Sequence, residues 1–419
     1  MTTNWAGNVR FGERELACPR SVEELQEIVR SNDRVKALGT RHSFSTLADT
    51  SGVLVDVTGL PRRLEIDREN RTATVSAATP YAEVALALDD AGLALKNMGS
   101  LPHISVGGAA ATGTHGSGDG NQVLAASVTA LDLVDADGEL QHLDRTDPAF
   151  EGSVVSLGAL GIVTSLTIEV IPSFSMRQDV FVDAPWDDVL ADLDGVTGGA
   201  FSTSMFIRDW GTDRVDQIWY KSVVEDGSVE PRLPEGVRGR PAGVDFLPPA
   251  EGAPEDMLTE QAGTTGRWLE RLPHFRADKQ PSNAGDELQT EYFLDRRDAV
   301  EGMQRMRGIA AQLAPALLVS EIRTVAADTL WLSGSYGRDT VGIHFTWHKD
   351  LDAVHAVLPA VEERLAEIGA RPLWGKVYSD SYPDLLARYP RGAEFVALAD
   401  KADPRRVFRN AYLDRILGT

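Results

Sequence analysis

Cysteine and positive charge are scarce in this sequence. Cys18 is the one cysteine among 419 residues. An intrachain disulfide is therefore impossible, and zinc motifs built from cysteine and histidine are absent, so we predict no metal site. The 41 lysines and arginines are outnumbered by 63 aspartates and glutamates, which gives a formal net charge of −22. Because such a chain repels phosphates, we expect neither nucleic acid nor an anionic membrane as a partner.

Long apolar runs and a recognisable targeting segment are missing as well. No apolar run approaches the ~20 residues that a membrane-spanning helix needs. The first residues, Met-Thr-Thr-Asn-Trp, lack the basic stretch and apolar core of a signal peptide. We expect the cytoplasm as the compartment and a monomer as the state. The length favours two domains, and 42% hydrophobic residues are typical of a globular protein.

Short strands and helices alternate in the first 172 residues. Ser21 and Glu24 form a capping box before a helix with an apolar stripe, and Pro80 begins a second helix. The expected strands are short runs bounded by Gly, Asp or Pro: Val35–Leu38, 54–57, 72–77, 131–134, 140–143 and 165–171. The pair around Asp-Ala-Asp-Gly is typical of a hairpin. This alternation favours an α/β or α+β domain in which a ligand loop follows a strand.

The composition changes after Pro172, where we place a boundary. Residues 229–254 are rich in Pro and Gly and predict a long loop, and 352–369 predict a helix that Pro359 kinks. Further strands are expected at 204–207, 217–221, 289–293, 317–324 and 341–347, with a short strand that contains Lys376.

The segment 37–44, Ala-Leu-Gly-Thr-Arg-His-Ser-Phe, follows the expected strand Val35–Leu38. Gly39 allows the backbone to approach a ligand closely, which a Cβ would obstruct. His42 then places a nucleophilic imidazole where such a ligand would lie. On this segment alone, a loop histidine without a ligand is an equal alternative.

A second glycine-rich segment covers residues 97–118 and consists almost entirely of Gly, Ala, Ser and Thr towards its end. Such a segment exposes backbone N–H groups that can bind a pyrophosphate. It has neither the GxGxxG nor the Walker spacing. The alternative is a crossing of small, tightly packed residues. Residues 156–164 form another glycine-containing segment, which leads into the expected strand 165–171.

Polar side chains recur at a spacing of two on two expected strands. Glu321 and Arg323 point to one face of the first, and His344 and Thr346 to one face of the second. Neighbouring strands could thus present an acid, a guanidinium, an imidazole and a hydroxyl to one cavity. Polar residues on the solvent face of an antiparallel sheet would give the same pattern. Lys376, in the same part of the chain, favours the cavity.

These segments together resemble a known family. His42-Ser43 after a strand and a glycine, with Thr-Gly-Thr-His-Gly at 112–116, is similar to the vanillyl-alcohol-oxidase type of flavoprotein. Within it, four segments resemble bacterial alditol (xylitol) oxidases: 97–106, 321–328, 344–347 and 374–376. The flavin loops alone are shared with sugar-lactone oxidases and dehydrogenases. The resemblance extends from residue 4 to residue 410.

The resemblance implies an α+β fold in two domains. A PCMH-type FAD-binding domain would comprise residues 1–172. Residues 173–376 would form a substrate (cap) domain with an antiparallel sheet flanked by helices. The C-terminal segment, 377–419, would return to the FAD domain.

The resemblance also implies the site. FAD would be bound covalently through His42. The residues expected to contact the cofactor are Ala37, Leu38, Gly39, Thr40, Arg41, His42, Ser43, Ser100, Ser105, Gly108, Thr112, Gly113, Thr114, His115 and Ile162. Substrate would be bound by Ser100, Glu321, Arg323, Thr346 and Lys376, and the catalytic residues would be His344, Arg323, Lys376 and Glu321. Two positions depart from the family: Arg41 stands where a glycine is frequent, and Leu373 where relatives can have a polar residue.

The expected reaction is oxidation of the terminal CH2OH of an alditol, such as xylitol or sorbitol, to an aldehyde, with O2 reduced to H2O2. His344 suits the role of a base near pH 7, and the cations Arg323 and Lys376 would stabilise a developing alkoxide. Gly99 leaves space that favours access of O2. The partners would be a small polyol and O2. The alternatives are a sugar-1,4-lactone oxidase or dehydrogenase, and a flavin-binding protein without activity.

Overall fold

The structure is a computed structural model that describes residues 2–250, 255–279, 286–382 and 384–418. The strands are Glu15–Ala17 (β1), Val35–Leu38 (β2), Val53–Asp56 (β3), Leu64–Asp67 (β4), Thr72–Ser76 (β5), Leu93–Ala94 (β6), Val128–Val134 (β7), Leu140–Asp144 (β8), Ile162–Glu169 (β9), Ile171–Pro172 (β10), Ser175–Pro185 (β11), Ser202–Ile207 (β12), Arg214–Val224 (β13), Arg240–Pro241 (β14), Gly266–Arg267 (β15), Glu287–Asp295 (β16), Leu317–Val325 (β17), Thr340–His348 (β18) and Arg371–Pro372 (β19). The helices are Val22–Ser31 (α1), Tyr81–Asp90 (α2), Val106–Thr112 (α3), Phe150–Val154 (α4), Trp186–Ala191 (α5), Leu193–Thr197 (α6), Ala299–Arg307 (α7), Ala310–Leu313 (α8), Leu351–Ala366 (α9), Gly392–Ala402 (α10) and Ala411–Leu417 (α11). No described helix is both long enough and apolar enough to span a bilayer.

The first part of the chain forms two principal sheets. In one, β1 and β2 pair in parallel with β3. The other is antiparallel with the order β4-β5-β9-β7-β8. The predicted hairpin is confirmed as β7 and β8. At α1, Ser21 accepts a hydrogen bond from the N–H of Glu24 at 3.2 Å, whereas the Glu24 carboxylate accepts from the N–H of Arg20 instead of Ser21. The Ser21 half of the predicted capping box is therefore present, whereas Glu24 contacts the N–H of Arg20, the residue before Ser21.

A long antiparallel sheet dominates the second part of the chain. Its order is β14-β11-β13-β12-β17-β18-β16-β19, with β15 paired to β11. Helices α7 and α9 pack against each other and against β16. Helix α9 begins where the side chain of Asp350 accepts the N–H of Ala353 at 3.0 Å, and Pro359 lies inside it. An antiparallel sheet flanked by helices is the predicted α+β fold, which is confirmed.

The C-terminal residues pack against the first part of the chain. Val407 and Phe408 share an apolar cluster with Leu25 and Val35. The N–H of Val35 donates to the carbonyl of Val407 at 2.8 Å. The Asn410 amide donates to carbonyls of the segment after β2, including that of Leu47 at 3.0 Å. The predicted domains, 1–172, 173–376 and 377–419, require contacts of this kind between the C-terminal segment and the first domain. Their exact boundaries stay a prediction.

The sequence prediction is wrong for Lys376, which lies in a turn and not on a strand. Strand β19 ends at Pro372, and the N–H of Lys376 donates to the carbonyl of Leu373 at 3.0 Å to close the turn. The proline lacks an N–H for the ladder and Gly375 favours a turn, so the strand cannot continue.

Two predicted loops contain regular structure that the sequence analysis did not anticipate. Within 97–118, α3 forms from a Val, Gly and Ala run and ends at Gly113, whose φ of +68° is the left-handed value that favours glycine. Within 229–254, the strand β14 pairs with β11. Residues 251–254 of that loop lie outside the described residues.

Candidate active site

A cavity of ≈ 360 Å³ lies where the glycine-rich loops face the long sheet. On the loop side its wall includes the predicted cofactor residues Ala37, Leu38, Gly39, Thr40, Arg41, His42, Ser43, Ser100, Ser105, Gly108, Thr112, Thr114 and His115. On the sheet side it includes Glu321, Arg323, His344, Thr346 and Lys376. The structure therefore brings the two groups of predicted residues to one cavity.

Two predicted cofactor residues do not line the cavity. Gly113 terminates α3 with a positive φ. This conformation is a sufficient reason for a glycine at the position, with no need for a ligand contact. Ile162 is buried at the start of β9 and pairs with Val134, while its neighbours Gly161 and Val163 do line the cavity.

The loop side has little room for side chains. A Cβ at Gly39 or at Gly108 would lie 2.9 Å from the Ser105 hydroxyl oxygen. The N–H of Ser105 lies 3.2 Å from the hydroxyl oxygen of Thr40, which joins the two glycine-rich segments. Backbone atoms and small hydroxyls therefore form this wall.

Arg41 occupies the left-handed region with a φ of +64°. Its side chain is exposed to solvent. A residue with a Cβ pays roughly 1–2 kcal/mol for this conformation, which glycine adopts freely. Arg41 therefore adopts a backbone conformation that favours glycine, with its side chain exposed.

His42 has an imidazole whose two ring nitrogens are buried and make no hydrogen bond with any described residue. Its ring stacks on Trp5, with centroids 5.3 Å apart and planes inclined by 25°. Burial, together with the nearby His103, lowers the pKa of His42 to about 4. The result is a neutral, oriented imidazole at the cavity wall with two nitrogens available to a ligand.

The register of three adjacent strands aligns the charged residues on the sheet side. Residue Glu321 of β17 lies opposite His344 of β18, which lies opposite Glu291 of β16. Glu321, Arg323 and His344 are 6–7% exposed, so the solvent-face alternative is wrong.

Glu291 is the centre of this arrangement. Its Oε1 accepts from Arg323 Nη2 at 2.7 Å and lies 3.0 Å from His115 Nε2, and its Oε2 lies 3.1 Å from His344 Nδ1. Burial raises the pKa of Glu291, but Arg323, His115 and His344 together lower it well below the usual value. Glu291 is therefore an ionised carboxylate inside the protein. A Cβ at Gly342 would lie 3.1 Å from its Oε1.

The sequence analysis missed Glu291, although a signal was present. Glu287, Gln289 and Glu291 alternate along β16 and therefore point to one face of it. All three line the cavity. It also missed His274 and Lys221, for which the sequence offers no pattern.

The contacts of His344 define how its ring is protonated. Burial lowers the pKa of His344, and the opposing effect of Glu291 is smaller, so the ring is neutral at pH 7. Since an ionised carboxylate can only accept, Nδ1 carries the proton and donates it to Glu291. Nε2 is then unprotonated and accepts a hydrogen bond from the Thr346 hydroxyl at 3.2 Å.

Glu321 is ionised too. His274 Nε2 lies 2.8 Å from its Oε1, and Arg323 Nε lies 3.7 Å from its Oε2. Burial raises the pKa of Glu321, but Arg323 and His274 hold it below its usual value. Arg323 Nη1 also lies 3.4 Å from the Ser100 hydroxyl oxygen.

Lys376 lies where the loops meet the sheet. Its ammonium donates to the Gln289 side-chain carbonyl and lies 5.2 Å from the centroid of the Phe44 ring. The N–H of Phe44 donates to the carbonyl of Gly375 at 2.7 Å, which ties the turn to the His42 loop. Burial lowers the pKa of Lys376 to about 8. The group is still mostly cationic at pH 7.

The geometry fits a large planar cofactor. The loop side offers backbone, small residues and an imidazole without partners, and the sheet side offers buried, paired charges. An isoalloxazine against His42 would separate these two sides.

Comparison with known proteins agrees with this geometry. Residues 14–144 match the FAD binding domain family, and residues 286–416 match the D-arabinono-1,4-lactone oxidase family. The chain is 43% identical to alditol oxidase of Streptomyces sp. (strain IKD472 / FERM P-14339), over 99% of this chain and 98% of that protein. It is 28% identical to L-gulono-1,4-lactone dehydrogenase of Mycobacterium tuberculosis (strain ATCC 25618 / H37Rv), over 99% of each chain.

Solved structures support the fold. A cholesterol oxidase from B. sterolicum superimposes with a TM-score of 0.75 at 15% identity, covering 99% of this chain and 96% of that chain. A solvent-stable cholesterol oxidase gives a TM-score of 0.78 at 17% identity, covering 99% and 97%.

Fold and site together define a flavin-dependent oxidoreductase with FAD as its cofactor. The chain belongs to the vanillyl-alcohol-oxidase-type family of FAD-dependent oxidases, in which it is similar over its whole length to the Streptomyces alditol oxidase.

Proposed function

We propose that this protein is an alditol oxidase that converts the terminal CH2OH of a linear polyol, such as xylitol or sorbitol, to an aldehyde and produces H2O2. The observation that carries the proposal is the cavity shared by His42 and the polar residues of β17 and β18. The similarity to alditol oxidase over the full length gives the substrate class.

Two hydrogens must leave the alcohol, one as a proton and one as hydride. When bound, FAD would supply the redox chemistry, as acceptor of the hydride and donor of two electrons to O2. His344 takes the hydroxyl proton at its unprotonated Nε2, where the substrate hydroxyl replaces that of Thr346 as the donor. Its imidazolium form is stabilised by Glu291, which lies 3.1 Å from Nδ1. Arg323 and Lys376 stabilise negative charge that develops on the substrate oxygen.

The other hydroxyls of the polyol orient it. Glu321 accepts a hydrogen bond from one of them through Oε2, and Thr346 and Ser100 provide hydroxyl partners further along. A dry pocket penalises each unpaired polar group by about 1–3 kcal/mol, so a substrate without matching hydroxyls binds poorly.

In this proposal FAD would be held by cavity-wall residues, which are Ala37 to Ser43, Ser100, Ser105, Gly108, Thr112, Thr114 and His115. Gly113 and the backbone of Ile162, which do not line the cavity, would contribute from beside it. His42 would hold the isoalloxazine, and in this proposal it would do so covalently through a ring nitrogen. Support comes from its two ring nitrogens without partners and from the positive φ of Arg41 before it.

Acid precipitation tests the covalent bond. The yellow colour should stay in the pellet of the wild-type protein, whereas His42→Ala should release FAD into the supernatant while keeping the fold. Complete release from the wild type would show that the flavin is not covalently bound.

A lactone oxidase is the second candidate, because residues 286–416 match the D-arabinono-1,4-lactone oxidase family. A lactone presents a carbonyl at C1 that cannot donate to Glu321. Peroxide production separates the two: we expect it with xylitol and sorbitol, a steep fall in kcat/KM for 1,2-propanediol, and little with sugar-1,4-lactones. Peroxide from lactones but from no polyol would support the second candidate, and no flavin reduction by either would leave a flavin-binding protein.

A polyol and O2 as partners, a monomeric state and a cytoplasmic location complete the proposal. They rest on the acidic composition and on the motifs. Light scattering after gel filtration measures the monomer directly, and a dimer mass would overturn that part.

A further inference from the structure

Lys221 is a buried lysine near the cavity that takes no part in the reaction proposed above. Lys221 on β13 is 1% exposed and does not line the cavity. Its Nζ lies 2.6 Å from the carbonyl of Leu272, 2.9 Å from that of Pro273 and 2.9 Å from His274 Nδ1. Burial lowers the pKa of Lys221 to about 7, and Glu321 opposes this shift. In the ammonium form its three N–H groups match these three acceptors.

The contact with Glu321 defines the tautomer of His274. Because the ionised Glu321 can only accept, the ring proton is on Nε2, and Nδ1 is left to accept from Lys221. Burial, with Lys221 as the next cause, lowers the pKa of His274 to about 4, so the ring is neutral. Nε2–H lies 2.8 Å from Glu321 Oε1 and donates to it.

The chain of contacts leaves Glu321 with one defined task. Its Oε1 is occupied by His274, and its Oε2 has Arg323 Nε at 3.7 Å, which is too long for a hydrogen bond. Oε2 is therefore the oxygen that can accept from a ligand in the cavity. The backbone of His274 acts in the same region, since its N–H donates to the carbonyl of Ser100 at 3.0 Å.

We propose that Lys221 and His274 are positioning residues that fix Glu321 as the acceptor for a substrate hydroxyl on the third or a later carbon from the reacting end, and so make the enzyme selective for polyols over short diols. The inference rests on the proposed alditol oxidation. The competing explanation is structural: Lys221 would only fasten β13 to the segment 272–274.

Substitutions at His274 separate the two explanations. An amide has an acceptor and a donor on one carbon, so His274→Gln can accept from Lys221 and donate to Glu321, whereas His274→Leu can do neither. We expect His274→Leu and Lys221→Met to lower kcat/KM for xylitol by roughly 10–100-fold, chiefly through KM. The value for 1,2-propanediol, which lacks the distant hydroxyls, should change by less than about threefold, and His274→Gln should stay within about threefold for both substrates.

A purely structural role predicts parallel losses for both substrates and no rescue by His274→Gln. Equal losses for xylitol and 1,2-propanediol would therefore overturn the proposal. Flavin content and thermal unfolding of each variant identify any general damage to the fold.

The tautomer can be measured without turnover. In protein labelled with 15N-histidine, the signals of His274 are those that disappear in His274→Gln. They should show a protonated Nε2 and an unprotonated Nδ1. Lys221→Met should alter these signals. A protonated Nδ1 in the wild type would overturn the proposal. If no polyol is oxidised by the wild type, the proposed function is wrong, and the NMR result still decides the role of Lys221.

Discussion

The two sides of the cavity are built in opposite ways. On the loop side, backbone and small residues form the wall, and His42 has two buried nitrogens without partners among the described residues. On the sheet side, charged groups such as Glu291 and Arg323 neutralise one another at 2.7 Å. The loop side is therefore completed by a cofactor, whereas the sheet side is organised before any ligand arrives.

This difference separates what substitutions should do. Buried charges on the sheet side are interdependent, so removing one leaves another unpaired, at high cost. Changes there should reduce turnover and leave flavin content intact. Changes on the loop side should act on the flavin or on backbone strain.

Arg323→Ala should have the largest effect. It removes about 2–4 kcal/mol of transition-state stabilisation, which is roughly 30–1000-fold in kcat/KM for xylitol. The flavin absorbance per protein should equal that of the wild type. Near-normal turnover would show that Arg323 has no role in the reaction and that the two sides are not functionally distinct.

Glu291→Gln should come next. The amide keeps the shape but removes the charge that orients His344 and pairs with Arg323. We expect kcat to fall by roughly 10–100-fold, because a general base contributes about 10²–10⁴-fold and loses its orientation here. Glu363→Gln, on the exposed face of α9, is the matched control and should be silent. Equal kinetics of the two variants would refute the role of Glu291.

The pH profile should depend on Lys376. Its pKa is lowered to about 8, so it loses its charge, and the enzyme its activity, as the pH rises through that value. His344, whose pKa is lowered, must be neutral, so the acid limb should lie below about 6.5. Lys376→Arg should move the alkaline limb upward, since arginine stays charged. An unchanged limb would assign it to another group.

The smallest effect is expected for Arg41→Gly on the loop side. Relief of the left-handed strain of about 1–2 kcal/mol is partly offset by the greater entropy of glycine in the unfolded chain. We expect a change in Tm of no more than a few degrees, and the same share of flavin in the acid-precipitated pellet as for the wild type. Loss of the covalent bond in this variant would show that the arginine side chain, and not the backbone conformation, matters at this position.

The sequence predicted the residues on the two sides of the cavity to different extents. On the loop side, the family resemblance named the residues, and most of them line the cavity, although helix α3 was not anticipated. Their contacts with the cofactor stay a prediction. Gly113 and Ile162 are the exceptions, as neither lines the cavity.

On the sheet, the spacing of two placed Glu321 with Arg323 and His344 with Thr346, but it could not provide the partners. Glu291 lies opposite His344 only because β16 pairs with β18 across 53 residues of sequence. His274 lies in an irregular segment, and Lys221 is a polar residue within a buried strand. Their contacts depend on tertiary packing, which no local pattern encodes. The turn at Lys376 was missed because its proline and glycine were given too little weight.

Anaerobic mixing tests the central claim that the two sides cooperate on a polyol. The oxidised flavin absorbance of the wild-type protein should bleach when xylitol or sorbitol is added and should not respond to a sugar-1,4-lactone. Arg323→Ala, with the same flavin content, should bleach far more slowly. Rapid bleaching by the lactone with none by either polyol would contradict the account.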